Sequence, residues 1–312
     1  MHVVIGSGAL GIATALALKD LGQTVRIVRR AGTQDLTPPS PEMEVVTADF
    51  YDSKSLATAL RGADVVYQAA QPPYTQWLKQ FPSLQAAILD ACAEVGASVV
   101  LGDNLYCYSP PTGVIREDSP QIPTSRKGKV RKEMSDAALE AHRLGRVQVA
   151  LVRPSNFFGP HYQRSAQDVF IPAMRGKSMM FLGRTDQLRS FSYVPDAGRT
   201  MAAIGTSEKG WGEAWIAPVQ PAMTQQGFAR QVWNAAGRSG EPKISRLSKT
   251  GASLLGIFSP LVRELPEMMY EFEKPFVVDS TKVEETFGVA PTDFTVAVNA
   301  TLDAWRGQAN AI

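Results

Sequence analysis

Between the apolar run His2–Ile5 and an alanine-rich stretch of helical period stands Gly6-Ser7-Gly8-Ala9-Leu10-Gly11. A glycine triplet placed after a strand and before a helix does three physical jobs. Gly6 makes a tight turn, Gly8 lets backbone come close to a pyrophosphate, and Gly11 lets helix and strand pack closely. The helix N-terminus adds N–H donors and a favourable dipole for an anion, so Ala9 and Leu10 belong to the same candidate site. A chain that opens this way is constrained to an α/β fold built on a parallel sheet.

The rest of the first half agrees. Short β-branched runs at 24–28, 44–46, 64–68, 98–101 and 148–152 alternate with stretches of period three and four at 10–21, 55–60, 84–95 and 129–144. That order predicts a doubly wound Rossmann sheet. After Arg153 the alternation ends and Gly and Pro punctuate shorter elements. The expected organisation is a dinucleotide-binding domain over 1–153 and a smaller C-terminal α/β substrate lobe over 154–312, with segments of the latter returning to the Rossmann core. Residues 37–41, Thr-Pro-Pro-Ser-Pro, read as a stiff exposed loop. The greasiest stretch, 252–262, contains Gly256 and Pro260 and is too short to span a bilayer, so it reads as a buried or pocket-lining helix.

Bulk properties exclude several classes of function. A formal charge of +2 argues against a nucleic-acid coat. Cys92 and Cys107 lie in apolar stretches, as reduced thiols do, and with no signal-peptide pattern they point to the cytoplasm. His2, His142 and His161 have no ligand-like spacing, so no metal is expected. The basic cluster Arg126, Lys127, Lys129, Arg131 and Lys132 lacks interleaved aromatics and suits a solvated face or an anionic small molecule better than nucleic acid.

Cofactor choice is written at the end of the second strand, where a carboxylate accepts from a ribose hydroxyl and arginine suits a 2′-phosphate. Here stand Arg29 and Arg30, which favour NADP, with NAD as the alternative. Asp49, with Phe50 beside it, either holds the adenine edge or caps the following helix.

The later blocks are more specific. The run 64–70 (Asp-Val-Val-Tyr-Gln-Ala-Ala), Leu105-Tyr106-Cys107, Arg153-Pro154-Ser155-Asn156-Phe157-Phe158-Gly159-Pro160 and the run 191–197 (Phe-Ser-Tyr-Val-Pro-Asp-Ala) occur in the order found in the extended short-chain dehydrogenase/reductases, and the chain resembles that family over nearly its whole length. A simpler Rossmann reductase of the ketopantoate reductase type shares only the first thirty residues' pattern. The resemblance implies that Ala69, Ala70 and Gln71 cover the dinucleotide, that Pro154 and Asn156 complete its site, and that the protein is a homodimer packed through long helices.

The family's catalytic Tyr-x-x-x-Lys pair is where the likeness fails. Aligned before Arg153, it leaves Lys132 at the lysine and Gly128 at the tyrosine, while the family's serine or threonine falls on Gly102. The remaining candidates for proton transfer are Lys132, Asp103 at the rim of the sheet, and Tyr108. Apolar runs containing Met179, Met180, Phe181 and Leu182, the pair Trp211 and Trp215, and 268–272 suit core packing or a pocket. The sequence thus points to an atypical NADP-dependent oxidoreductase acting on a small organic carbonyl. Its rivals are a catalytically silent NADP-binding redox sensor and an enzyme resembling nucleotide-sugar epimerases and dehydratases.

Overall fold

Five runs of β-branched residues, with Val149–Arg153 as the sixth, form parallel strands; the central ones, His2–Ile5, Val65–Gln68 and Val149–Arg153, are buried throughout, which is why they do not alternate, while the edge strand Glu44–Thr47 is partly exposed. In the computed structural model, which describes residues 1–30, 40, 42–108 and 113–310, these are β1 (His2–Ile5), β2 (Val25–Arg29), β3 (Glu44–Thr47), β4 (Val65–Gln68), β5 (Ser98–Gly102) and β6 (Val149–Arg153). The order is β3-β2-β1-β4-β5-β6, followed by a seventh parallel strand, Ala214–Ile216, beside β6. Ile5 lies level with Val28 on one side and Gln68 on the other, so the carboxyl ends of β1, β2 and β4 share one rim.

Helices α1 (Ala9–Asp20), α2 (Ser53–Ala59), α3 (Trp77–Val95) and α4 (Arg126–Arg143) cover the sheet. Asp52 caps α2 by accepting from the Lys54 N–H at 3.0 Å, and Ser125 caps α4 by accepting from the Gly128 N–H at 3.0 Å. Helix α3 starts seven residues earlier than its periodicity suggested and runs through Pro82. The lost hydrogen bond is offset by the aromatic packing of Trp77 on Phe81, 5.1 Å between ring centroids.

The later chain divides its residues between two places. The seventh strand and the helix Val194–Gly205 return to the Rossmann core, where Ala197, Met201 and Ala202 pack in one apolar cluster with Ala15 and Leu18 of α1. The remainder builds a lobe around Phe158, Phe170, Phe191, Phe228 and Trp233, with three two-stranded sheets of its own.

One expectation falls largely outside the described residues and another changes. Of residues 37–41 only Ser40 is among the described residues. It is buried, and it accepts from Lys19 Nζ at 2.7 Å. The stretch 252–262 is not a buried helix, because the chain breaks into two short helices and leaves Leu254, Leu255, Ile257 and Phe258 on the surface. Its pocket-lining contribution is Leu261. Among the described residues, no helix is long and apolar enough to cross a membrane.

Candidate functional site

The glycine loop divides its labour by space. At Gly6, φ is +108° and a Cβ would meet the Ala70 nitrogen at 2.8 Å; at Gly11 a Cβ would meet the Gly6 oxygen at 2.0 Å. At Gly8 a Cβ would meet nothing within 4 Å. Two glycines therefore close the turn against the sheet, and the third leaves an open approach to the first-turn N–H groups of α1. A groove of about 270 Å³ follows, lined by Gly6, Ser7, Gly8, Ala9, Leu10, Arg29, Arg30, Phe50, Ala69, Ala70 and Gln71. This donor-rich cradle flanked by two guanidinium groups fits a dinucleotide and its ribose phosphate.

Other expected residues sit elsewhere. Gly11 lies behind the groove as packing. The exposed Asp49 neither lines it nor caps α2; its carboxylate accepts from the Tyr51 N–H at 2.9 Å. Pro154 and Asn156 line a second, larger cavity instead.

Asp103, directly after β5, is the centre of a buried polar network. Its Oδ1 accepts from Arg131 Nε at 3.1 Å, and its Oδ2 from Arg153 Nε at 2.8 Å and Ser135 Oγ at 2.9 Å. Burial raises this carboxyl, but the two guanidinium charges and their hydrogen bonds outweigh it and hold the group below the usual carboxylate range. An aspartate so held stays ionised and has no proton to give. Tyr108 is also withdrawn from chemistry. It lines neither cavity, accepts from Arg153 Nη1 at 2.8 Å, donates to the Glu117 carbonyl at 3.2 Å, and burial pushes its phenol up to about 12.

The inward stripe of α4 runs Lys127, Arg131, Met134, Ser135, Ala138 and Ala141. The pair one turn apart that faces inward is therefore Lys127 and Arg131. Lys132, the expected proton carrier, lies one residue off this stripe, donates to Asp136 at 2.6 Å and lines neither cavity. Gly128 is a close-packing residue, since a Cβ there would meet the Tyr106 oxygen at 2.5 Å; one at Gly102 would meet the Gln68 oxygen at 2.8 Å. Neither position has room for a side chain.

Helix α4 is no free cationic patch either. Arg126 and Lys127 pair with Glu267, Lys127 also with Glu264, Arg131 with Asp103 and Lys132 with Asp136. Four of the five charges thus have acceptors built into the chain, and the fifth, Lys129, is exposed and lines neither cavity, which removes the cluster as grounds for an anionic substrate.

The second cavity, about 520 Å³, lies between the rim of the sheet and the lobe. Its wall is largely aromatic and aliphatic: Trp77, Phe157, Phe158, Met180, Phe181, Leu182, Phe191, Phe228, Met268 and Phe272 among others. Trp215 is instead buried core, and Trp211 packs beside it. Groove and cavity share four lining residues, Gln71, Asp103, Phe157 and Tyr162. Tyr162 follows His161, which has a left-handed φ of 62°, and its ring meets Phe157 edge-on at 5.7 Å. Burial raises its phenol, so it is protonated at neutral pH.

Tyr162, Arg131 and Arg153 are the site residues that sequence reasoning missed. The spacing of Met134, Ala138 and Ala141, continued backwards, reaches Arg131 and Lys127. Nothing in the local pattern singles out Tyr162, which a loop carries to the junction. Among the described residues no cluster of three metal-ligating side chains occurs. Cys92 and Cys107 are buried thiols pushed up to about 12.

Comparison with known proteins follows this geometry. The model of the NAD dependent epimerase/dehydratase family matches residues 3–215. A curated relative, 3beta-hydroxysteroid-dehydrogenase/decarboxylase isoform 2 of Arabidopsis thaliana, is 23% identical over 286 residues, covering 81% of this chain and 50% of its own length. The chain thus spans half the length of that relative. Among solved structures, dTDP-glucose 4,6-dehydratase (DesIV) from Streptomyces venezuelae, with NAD bound, superposes with a TM-score of 0.78 at 17% identity, covering 98% of this chain and 97% of the other. UDP-glucose 4-epimerase of Thermotoga maritima, with UDP-glucose, gives 0.79 at 16%, covering 99% of each.

Proposed function

The chain belongs to the NAD dependent epimerase/dehydratase family, and we propose that it is an NADP-dependent oxidoreductase that reduces an organic carbonyl, with Tyr162 as proton donor. The reading rests on one observation above all. Four residues line both the dinucleotide groove and the aromatic cavity, and of these Tyr162 is the one with a transferable proton in its resting state. Asp103 is held ionised, Gln71 is an amide and Phe157 has no polar group.

A bound nicotinamide supplies the hydride. Arg29 and Arg30 would hold the ribose phosphate and Gly8 with the first turn of α1 the pyrophosphate, while Ala69, Ala70 and Gln71 line the same groove. Asp103, fixed by Arg131 and Arg153, keeps the rim rigid under the junction. Tyr162 hydrogen-bonds the carbonyl oxygen and gives up its proton as that oxygen gains charge; the resulting phenolate is reprotonated from solvent through the cavity mouth. The aromatic walls exclude water from the reacting carbon.

NADPH oxidation by a panel of apolar ketones and aldehydes tests this. Tyr162→Phe should lower turnover about 10²-fold or more with little change in cofactor affinity. Turnover unchanged in that variant would remove Tyr162 from the reaction. The absence of side-chain room at Gly102 and Gly128 also supports a second reading, a redox sensor that binds NADP without chemistry. Tight NADPH binding with no turnover on any carbonyl would favour it.

A further inference from the structure

The wall of the aromatic cavity carries two opposite charges, Arg189 and Glu271, near enough to feel one another's field but not joined in a salt bridge. Arg189, 3% exposed, sits over Phe272 with its guanidinium carbon 4.2 Å from the ring centroid, and its Nη2 has no hydrogen-bond partner. Glu271, 5% exposed, has an Oε1 equally without one. Both line the cavity, and no nitrogen of Arg189 comes within 4.0 Å of a Glu271 carboxylate oxygen. A buried donor and a buried acceptor left without partners in this way cost stability until something satisfies them.

The chemistry of the two groups narrows what satisfies them. A carboxylate or phosphate would accept from Arg189 but face the Glu271 oxygen. An amine would do the reverse. A hydroxyl accepts from the guanidinium and donates to the carboxylate through one oxygen, and imports no charge. The other charged side chains of the wall are already matched, Asp103 by two arginines and Arg164 by Asp168 at 3.1 Å, so no spare cation waits for a diphosphate.

We infer that this cavity binds a molecule with an apolar ring body and one hydroxyl, the hydroxyl bridging Arg189 Nη2 and Glu271 Oε1. Because these two residues line the cavity but not the dinucleotide groove, this hydroxyl marks the end of the ligand away from the reacting carbonyl. The inference takes from the proposed function only that the cavity is the substrate site.

Fluorescence titration of the protein without cofactor tests it, and its failure is separable from failure of the dinucleotide reading, which cofactor titration reports. The probes are 2-naphthol, naphthalene, 2-naphthoate and uridine diphosphate at pH 8, above the value of about 7 to which burial pushes the Glu271 carboxyl. We expect 2-naphthol to bind at least about tenfold more tightly than the other three. In Glu271→Gln and Arg189→Met, each checked for an unchanged far-ultraviolet spectrum, that preference should shrink to within roughly threefold. Equal binding of naphthalene and 2-naphthol, tighter binding of either anion, or no binding of any probe would each overturn the assignment. The comparison of probes on the unmutated protein stands even if both variants fail to fold.

Discussion

Asp103 shows how one residue is diverted from chemistry to architecture. Its carboxylate is the shared counter-charge of Arg131 and Arg153, all three nearly inaccessible to water. Asp103→Asn leaves two buried guanidinium groups without their anion and should cost about 3–5 kcal/mol of unfolding free energy, measurable by urea titration. The sign with pH follows from its lowered folded value. The carboxylate's contribution is present above the ordinary carboxylate range and is lost as pH falls through the depressed folded value, so the wild-type advantage over Asp103→Asn should vanish in strong acid. The importance of Asp103 was legible from its place at the end of a strand, but its role was not. That role depends on Arg131 and Arg153, 28 and 50 residues further along the chain.

At the scale of an element, α4 decides the site by its rotation. A shift of one residue separates a half-buried Lys132 from a buried Arg131, because a helix turns 100° for each residue and neighbouring basic side chains present to different faces. The apolar residues were the better guide, because burial fixes the rotation and a single retained lysine does not. Lys127, fully buried on the same face, is held by Glu264 and Glu267 and lies 4.6 Å from the Tyr74 ring centroid, tying the C-terminal segment to the helix. Lys127→Met should destabilise by about 3 kcal/mol or more, since two partly buried carboxylates lose their cation. Gly128→Ala, which puts a methyl group on the Tyr106 carbonyl, should cost about 1–3 kcal/mol. Thermal unfolding of both variants checks these values; a neutral Gly128→Ala would mean that α4 can slide away from the Leu105–Cys107 segment.

For the molecule as a whole, the doubly wound parallel sheet was readable because each strand and helix carries its own period and its own punctuation. The cavity was not, because its walls come from α3, the turn after β5, the lobe strands and the segment 261–276, which no local pattern brings together. The stretch 252–262 was misread for the related reason that apolar content alone does not say which side is covered. What joins core and lobe in the proposed reaction is the groove at the rim of the sheet, beside Gly8, Arg29 and Arg30. Arg29→Ala and Arg30→Ala should each weaken NADPH binding while leaving NADH nearly unaffected. The most direct measurement is calorimetric titration of the purified wild-type protein with NADPH and NADH. The groove predicts that both bind and that NADPH binds about tenfold more tightly or better; failure of either dinucleotide to bind would contradict it.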